Sequence, residues 1–195
     1  MSLSFHSDSL DATSAALFQG EVLIKTGMLC TDGSPTHSIW GGAVTAQMYL
    51  PRKRSHVWQQ ITNYPLWVDY FPDLIRSEVL PIASSGYKRL YQVAQKAFLF
   101  LSVQVEIYLN VFEVVQQQIS FRLEKGTFSD FSAELKLQDA GAGTVLTYSV
   151  QATPTIPVPS IFIEQAMKLD LPANMRTMRD CICASGSNVF SVTMR

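Results

Sequence analysis

The chain has 195 residues, of which 47% are hydrophobic and 16% charged, and its formal net charge is −1. This length fits one domain whose core is large enough to fold without disulfides or metals. The one cationic cluster is Arg52-Lys53-Arg54, so a nucleic-acid role has no electrostatic support. A cluster of this size near a helix start is typical of a solvated turn, with membrane or anion binding as the minor alternative.

The N-terminal region gives no targeting signal. It carries Asp8 and Asp11 and has neither a basic start nor a long apolar run, which argues against a secretory signal or a transit peptide. The most apolar window, 97–115, is interrupted by Gln104 and Glu106 and alternates, so no transmembrane helix is predicted. The three cysteines, Cys30, Cys181 and Cys183, lack framework spacing, which favours a reducing compartment. We therefore expect a cytoplasmic protein without disulfides.

The chain begins with an irregular segment. Residues 1–35 read as an N-terminal arm in which Glu21–Leu29 could add one strand. A turn cluster at 31–35 separates this arm from the main domain, which we place at residues 36–187. Residues 188–195 are then a C-terminal tail.

The main domain opens with a strand and two short helices. Ala43–Leu50 alternates apolar and polar side chains, and Pro51 ends it. Ser55 is the predicted N-cap of a helix over His56–Thr62. A second helix is predicted over Leu66–Tyr70.

Six further strands follow. Each shows the period-2 pattern of a sheet with one dry and one wet face. They are predicted at Leu74–Leu80, Tyr87–Ala97, Val103–Val115, Gln118–Glu124, Phe131–Leu137 and Thr144–Thr153.

A long amphipathic helix over Ser160–Ala184 organises the rest of the chain. Its apolar stripe repeats at steps of three and four residues and comprises Ile163, Met167, Leu171, Met175, Met178 and Ile182. Pro172 removes a helical hydrogen bond and clashes with the preceding turn, so we expect a kink or a break near Leu171.

This order predicts an α+β helix-grip fold: a curved antiparallel sheet of about seven strands wrapped around the C-terminal helix, with two short helices after the first core strand. The space between sheet and helix is either a ligand cavity or a filled core, and the pattern favours neither. The residues expected to bind a ligand there are Trp67, Phe71, Val105, Ile107, Phe121, Phe131, Leu146, Tyr148, Ile163, Met167, Leu171 and Met178.

Polar candidates inside this space are few. Tyr148 is expected to face inward, either as core or as a hydrogen-bond donor to a ligand. In Tyr87–Ala97 either Arg89 or Gln92 faces inward, and an outward, solvated Arg89 is favoured because an unpaired buried arginine is costly. Tyr148 and Arg89 are therefore only weak catalytic candidates.

Other chemistry has little support. The three histidines, His6, His37 and His56, are all expected to be exposed. We find no triad motif, phosphate loop or metal-spaced cluster, so no metal or cofactor is predicted. The segment Phe98–Leu101 is either core, which is favoured, or an exposed hairpin tip that would allow transient membrane contact.

Several segments resemble the polyketide cyclase/START-like superfamily, also called SRPBCC or Bet v1-like. They are Val57-Trp58, Ile61–Pro65, Phe71-Pro72, Glu124–Gly126 with Phe128 and Phe131, Gly143–Tyr148, and Asn174–Arg179. The resemblance covers residues 43–184 and is closest to the coenzyme-Q-binding branch and its bacterial and plastid relatives. Asn63 and Thr127 depart from it, since acidic residues are common at both positions.

The resemblance implies a carrier of a hydrophobic small molecule, such as a quinone, an isoprenoid, a lipid or a polyketide-like compound. One alternative is an aromatase/cyclase-type enzyme, which is weaker because no inward acid/base pair is evident. A second alternative is a ligand-free interaction module. Fold resemblance does not decide among these functions.

Overall fold

Eight strands form one antiparallel sheet in the computed structural model, which describes residues 15–28, 42–81, 86–98, 101–155 and 164–185. In chain order the strands are β1 (Val22–Met28), β2 (Gly42–Leu50), β3 (Leu74–Leu80), β4 (Lys88–Phe98), β5 (Leu101–Val114), β6 (Gln118–Gly126), β7 (Phe128–Ala140) and β8 (Gly143–Pro154). Their order across the sheet is β1-β2-β8-β7-β6-β5-β4-β3. Strands β3 to β8 are thus a meander whose last strand returns to pair with β2.

The seven strands of the main domain lie where the alternation predicted them, with ends that differ by up to three residues. β1, in the N-terminal arm, is an eighth strand and pairs with β2 from Val22↔Met48 to Met28↔Gly42. The β4–β5 hairpin closes at the pair Phe98↔Leu101. Its tip, residues 99–100, lies outside the described residues, so the expectation for these side chains stays a prediction.

The α-helices that lie wholly within the described residues are α1 (Arg54–Ile61), α2 (Trp67–Tyr70) and α3 (Leu171–Ala184), and a helical turn at 15–18 precedes β1. The predicted N-cap at Ser55 is wrong, because the first turn closes earlier: the backbone N–H groups of His56 and Val57 both donate to Lys53 O, at 2.9 and 3.1 Å. A 3₁₀ turn, Tyr64–Leu66, precedes α2, so the second predicted helix is two shorter elements.

The C-terminal helix changes its hydrogen-bond pattern at the expected place. Ala166–Asp170 is a π-helical segment, and regular α-helix begins at Leu171. The Leu171 N–H donates to Ala166 O, five residues earlier rather than four. Pro172 follows directly and has no N–H to donate. The chain stays helical through this point, so the structure shows a change of helix type where a kink or a break was expected.

The stripe of α3 packs against the concave face of the sheet. Leu171, Met175, Met178 and Ile182 are buried. The facing strand residues include Ala46, Met48, Leu50, Ile119, Leu135 and Leu146, all of which are at most 1% exposed. Burial of this stripe stabilises the fold by about 25 cal/mol per Å² of apolar surface removed from water. The helix-grip architecture is therefore confirmed.

The last turn of α3 is held by residues that follow β2. Arg52 donates to Cys183 O, and His56 Nε2 lies 3.0 Å from Ile182 O. The expectation that His56 is exposed is wrong, because this contact leaves its ring half-buried. Terminal helix carbonyls have no partners within the helix, and nearby basic side chains satisfy them. The basic cluster is thus partly a helix cap.

Candidate functional site

The two ends of the sheet differ in how completely the inward-facing side chains are covered. Where β2 stops and β8 begins, Leu50 and Leu146 are completely buried. At the opposite end Phe131 and Val150, on the same face, are only half-buried. We call this second end, formed by residues 42–44, 123–131 and 150–154, the open end.

The sheet splits between β6 and β7 at the open end. Their register pairs stop at Arg122↔Ser132, although β6 continues to Gly126 and β7 begins at Phe128. Beyond the split, β6 pairs only with β5, and β7 only with β8. Side chains beside the split lose neighbours on one flank, so this is where the inner apolar surface stays accessible.

Thr127 joins the two flanks of the split. Its N–H donates to Glu106 O in β5 at 2.9 Å, and its carbonyl oxygen accepts from the Thr155 N–H at 3.2 Å and from the Thr155 hydroxyl at 2.9 Å. Thr127, one of the two departures from the family resemblance, is therefore a structural tie. The hydroxyl of Thr127 is also within 3.2 Å of the same Glu106 carbonyl.

A wall of half-buried apolar side chains surrounds the open end. Its members all adjoin the core or share its inward parity, and each retains partial exposure: Phe71, Val105, Leu123, Phe128, Phe131, Val150 and Met167. The rings of Phe128 and Phe131 are 5.6 Å apart. Met167, on the π-helical segment, packs against the same core, and its flexible thioether suits a surface that adapts to a ligand.

Tyr148 places a hydroxyl within this apolar interior. Its residue is 8% exposed and lies between Ala46 and Leu135 in the sheet, and its ring is 6.4 Å from that of Phe71. Among the described residues the hydroxyl has no hydrogen-bond partner. Burial raises the pKa of Tyr148 above its ordinary value, so the group is a neutral donor at physiological pH.

Gln92 is the second inward polar side chain. It is 8% exposed, and its Nε2 donates to Ser77 Oγ at 3.1 Å. Ser77 in turn donates to Tyr64 O at 2.7 Å. Leu90, two residues earlier, is fully buried on the same face. The face of β4 that points inward is therefore the one with Leu90 and Gln92. Ser77 holds the Gln92 amide in place.

Arg89 lies on the outer face of the sheet. Its Nε and a terminal nitrogen donate to the two carboxylate oxygens of Glu124 at 2.5 and 2.6 Å. This pairing lowers the pKa of Glu124 and raises the pKa of Arg89. Arg89 also stacks 5.5 Å from the Tyr108 ring centroid. It cannot polarise a ligand carbonyl inside the grip.

The structure divides the twelve residues expected to bind a ligand. Trp67, Ile107, Phe121, Leu146, Leu171 and Met178 are buried in the core. Trp67 and Phe121 pack with rings 5.3 Å apart, and the Trp67 indole N–H donates to Ile61 O at 2.9 Å. Phe71, Val105, Phe131 and Met167 belong to the half-buried wall, and Tyr148 is buried beside Phe71. Ile163 lies outside the described residues.

Leu123, Phe128 and Val150 are wall residues that the sequence reasoning did not select as ligand-binding. Leu123 and Val150 share the inward parity of Phe121 and Tyr148 and could have been found by extending that parity to the strand ends. Their exposure depends on the split between β6 and β7, which the alternation does not reveal.

Outside the sheet, a groove of about 560 Å³ crosses the convex face. Some of its polar side chains are already paired: Thr45 Oγ1 is 3.0 Å from Ser149 Oγ, and Glu134 accepts from Gln118, which is not a lining residue, at 2.6 Å. Because these polar groups are already hydrogen-bonded to protein, we do not assign a ligand to this groove.

The described residues offer neither a metal site nor a membrane-spanning helix. Within the described ranges no group of three His, Cys, Asp or Glu side chains could hold a metal ion. No helix among the described residues is both long enough and apolar enough to span a membrane.

The helix-grip sheet and its C-terminal helix define a START/Bet v1-like fold. The chain belongs to the family described as polyketide cyclase/dehydrase and lipid transport, whose model matches residues 50–179. No curated protein matches the chain by sequence.

Solved structures with this fold are distant in sequence. TTHA0849 from Thermus thermophilus is 16% identical with a TM-score of 0.64, covering 74% of this chain and 99% of that one. A STAR-related lipid transfer protein from Xanthomonas axonopodis is 14% identical, with a TM-score of 0.60 and coverage of 83% and 93%. The Zhui aromatase/cyclase from Streptomyces sp. R1128 is 13% identical, with a TM-score of 0.58 and coverage of 74% and 93%. At these identities the likeness concerns the fold.

Proposed function

We propose that the chain binds a hydrophobic small molecule, such as a quinone, an isoprenoid, a lipid or a polyketide-like compound, that enters at the open end. The observation that carries the proposal is the half-buried apolar wall at the split, with the Tyr148 hydroxyl inside it. The family and the fold support a ligand of this class and do not select among its members.

The affinity would come mostly from burial of apolar surface. Burying roughly 300 Å² of ligand at about 25 cal/mol per Å² contributes some 7 kcal/mol before the entropic cost of association. Tyr148 would donate one hydrogen bond to a ligand oxygen, and Gln92 could orient a second polar group. One hydrogen bond of this kind contributes about 1 kcal/mol.

The first experiment is native mass spectrometry of freshly expressed protein, followed by extraction and identification of any bound molecule. Binding of a short-chain ubiquinone, farnesol and palmitate is then measured by calorimetry. Met167→Arg places a charge in the wall and is expected to abolish binding. Leu169→Arg is the matched control, because Leu169 lies on the same π-helical segment but is 65% exposed.

The two variants separate the possible outcomes. Loss of binding in folded Met167→Arg, with binding kept in Leu169→Arg, supports the proposal. Equal binding by both variants contradicts it. A protein that carries no molecule and binds none of the three probes would instead indicate the ligand-free interaction module.

A second candidate is the aromatase/cyclase-type enzyme, which is favoured by the buried Tyr148 hydroxyl because it has no hydrogen-bond partner among the described residues. A neutral phenol in an apolar site can donate to the carbonyl oxygen of a polyketide-like substrate and stabilise charge that develops there. With Arg89 on the outer face, this role rests on Tyr148 alone. Turnover of such a substrate by Tyr148→Phe at the wild-type rate would remove this candidate.

A further inference from the structure

The exposed edge of the sheet at β3 has an unusual sequence. From Leu74 to Leu80 it reads Leu-Ile-Arg-Ser-Glu-Val-Leu. Two apolar residues lie at each end, and opposite charges flank the central serine. β3 is the last strand of the sheet, and no described strand pairs with its far side. Ile75 and Val79 are 56% and 45% exposed. An edge strand of this kind offers unpaired backbone groups to another strand.

We propose that two copies of the chain pair antiparallel through β3, about a two-fold axis at Ser77, to form one continuous sheet. In this register Arg76 faces Glu78 of the partner subunit, and the reverse contact forms on the other side of the axis. A register shift between Leu74 and Arg76 interrupts the regular alternation of β3 beyond these residues, so the regular part of the proposed ladder is centred on 76–78. Both charged pairs beside the axis therefore join opposite charges.

The charges distinguish this register from its neighbours. An axis at Arg76 would oppose two arginines, and an axis at Glu78 would oppose two glutamates, and directly opposed like charges are destabilising. Only the axis at Ser77 pairs both charges with opposite ones. This self-complementarity selects a second copy of the chain as the partner.

The charged side chains already occupy the required face. Arg76 Nε and a terminal nitrogen lie 2.8 and 2.9 Å from the Glu78 oxygens, with both side chains half-exposed. Arg76 also lies 5.0 Å from the Tyr91 ring centroid, on the outer face of the sheet. Residues two apart on one strand are about 6.6 Å apart, whereas directly opposed residues are roughly 5 Å apart. Arg76 can therefore move from Glu78 of its own strand to Glu78 of the partner subunit by side-chain rotation alone.

The expected dimer is weak. A single short strand ladder is small beside stable interfaces, so a dissociation constant on the order of micromolar or weaker is expected. Sedimentation equilibrium over a wide concentration range measures this constant. Wild-type protein that stays monomeric well above that range overturns the proposal.

Charge reversal tests the register. Arg76→Glu replaces both attractive pairs by repulsive ones and is expected to weaken the dimer roughly tenfold to a hundredfold. The double variant Arg76→Glu, Glu78→Arg is expected to restore the wild-type constant. Arg89→Glu is the matched control, since it also breaks an outer-face ion pair, with Glu124, but lies one strand inward. An unchanged constant in Arg76→Glu, or no recovery in the double variant, overturns the proposal.

Disulfide trapping supplies a second test. Directly opposed Cα atoms lie about 4.5–5.5 Å apart, within disulfide range, whereas Arg76 and its own copy would be about 8 Å apart. Oxidation of a mixture of Arg76→Cys and Glu78→Cys is therefore expected to give a covalent dimer above the native background. Each variant alone should not. Equal cross-linking by a single variant overturns the register.

Discussion

Gly126 sits where β6 ends at the split, and its substitution is expected to be unusually costly. Its φ is +152°, a conformation that side chains rarely adopt. A Cβ at this position would lie 2.3 Å from Glu106 O and 2.9 Å from the Ile107 Cα. Both are backbone atoms of β5, so relief requires a strand to move. The backbone conformation costs about 1–3 kcal/mol, and the overpacking adds about another 1–3 kcal/mol.

Gly86→Ala provides the matched control. Gly86 has a comparable φ of +132°, but a Cβ there would meet nothing within 4 Å. Urea unfolding of the two alanine variants separates conformational strain from the clash. Gly126→Ala is expected to lose at least about 1 kcal/mol more than Gly86→Ala. A difference under about 0.5 kcal/mol would refute the claim that close approach of β5 and β6 selects this glycine.

Two further predictions concern the helix and the outer face. Met178→Ala is expected to destabilise the protein by about 2–5 kcal/mol because its side chain is fully buried. Arg176→Ala, at an exposed position of the same helix, should change stability by less than about 0.5 kcal/mol. Similar losses of stability in the two variants would contradict the packing of α3. Since Arg89 lowers the pKa of Glu124 in the folded state, the pair stabilises the protein above the ordinary glutamate pKa and loses this effect as pH falls through the lowered value. Unfolding measured against pH should therefore show wild type and Arg89→Ala converging in acid, and a constant difference at all pH values would contradict this.

The strands were predictable because their alternation is local. Ala46, Met48 and Leu50 are buried as their parity requires. The parity of β4 was ambiguous because Leu90 and Val93, which lie on opposite faces, are both apolar and both buried. A register shift in the neighbouring strand, between Leu74 and Arg76, accompanies this. Only long-range pairing decides which face of β4 is inner.

The candidate site was less predictable than the fold. Two of its residues could be selected from the sequence. Strand alternation places Tyr148 on the inner face, and the helical period places Met167 on the apolar stripe. The sequence did not reveal that β6 and β7 separate after Arg122↔Ser132, because that separation depends on how each strand pairs with its other neighbour. The wall residues Leu123 and Phe128 owe their exposure to this split.

The π-helical segment and Pro172 act as a compensated pair. A π turn carries one residue more than an α turn, and its Leu171-to-Ala166 hydrogen bond relaxes the α-helical turn with which the Pro172 ring would clash. Deleting one residue from 166–170 would restore α-helical spacing and bring that clash back. Replacing Pro172 alone would remove the clash that the extra residue of the π turn relieves. Chain length and residue identity are therefore coupled here, so that related chains can lose both features together more readily than either one.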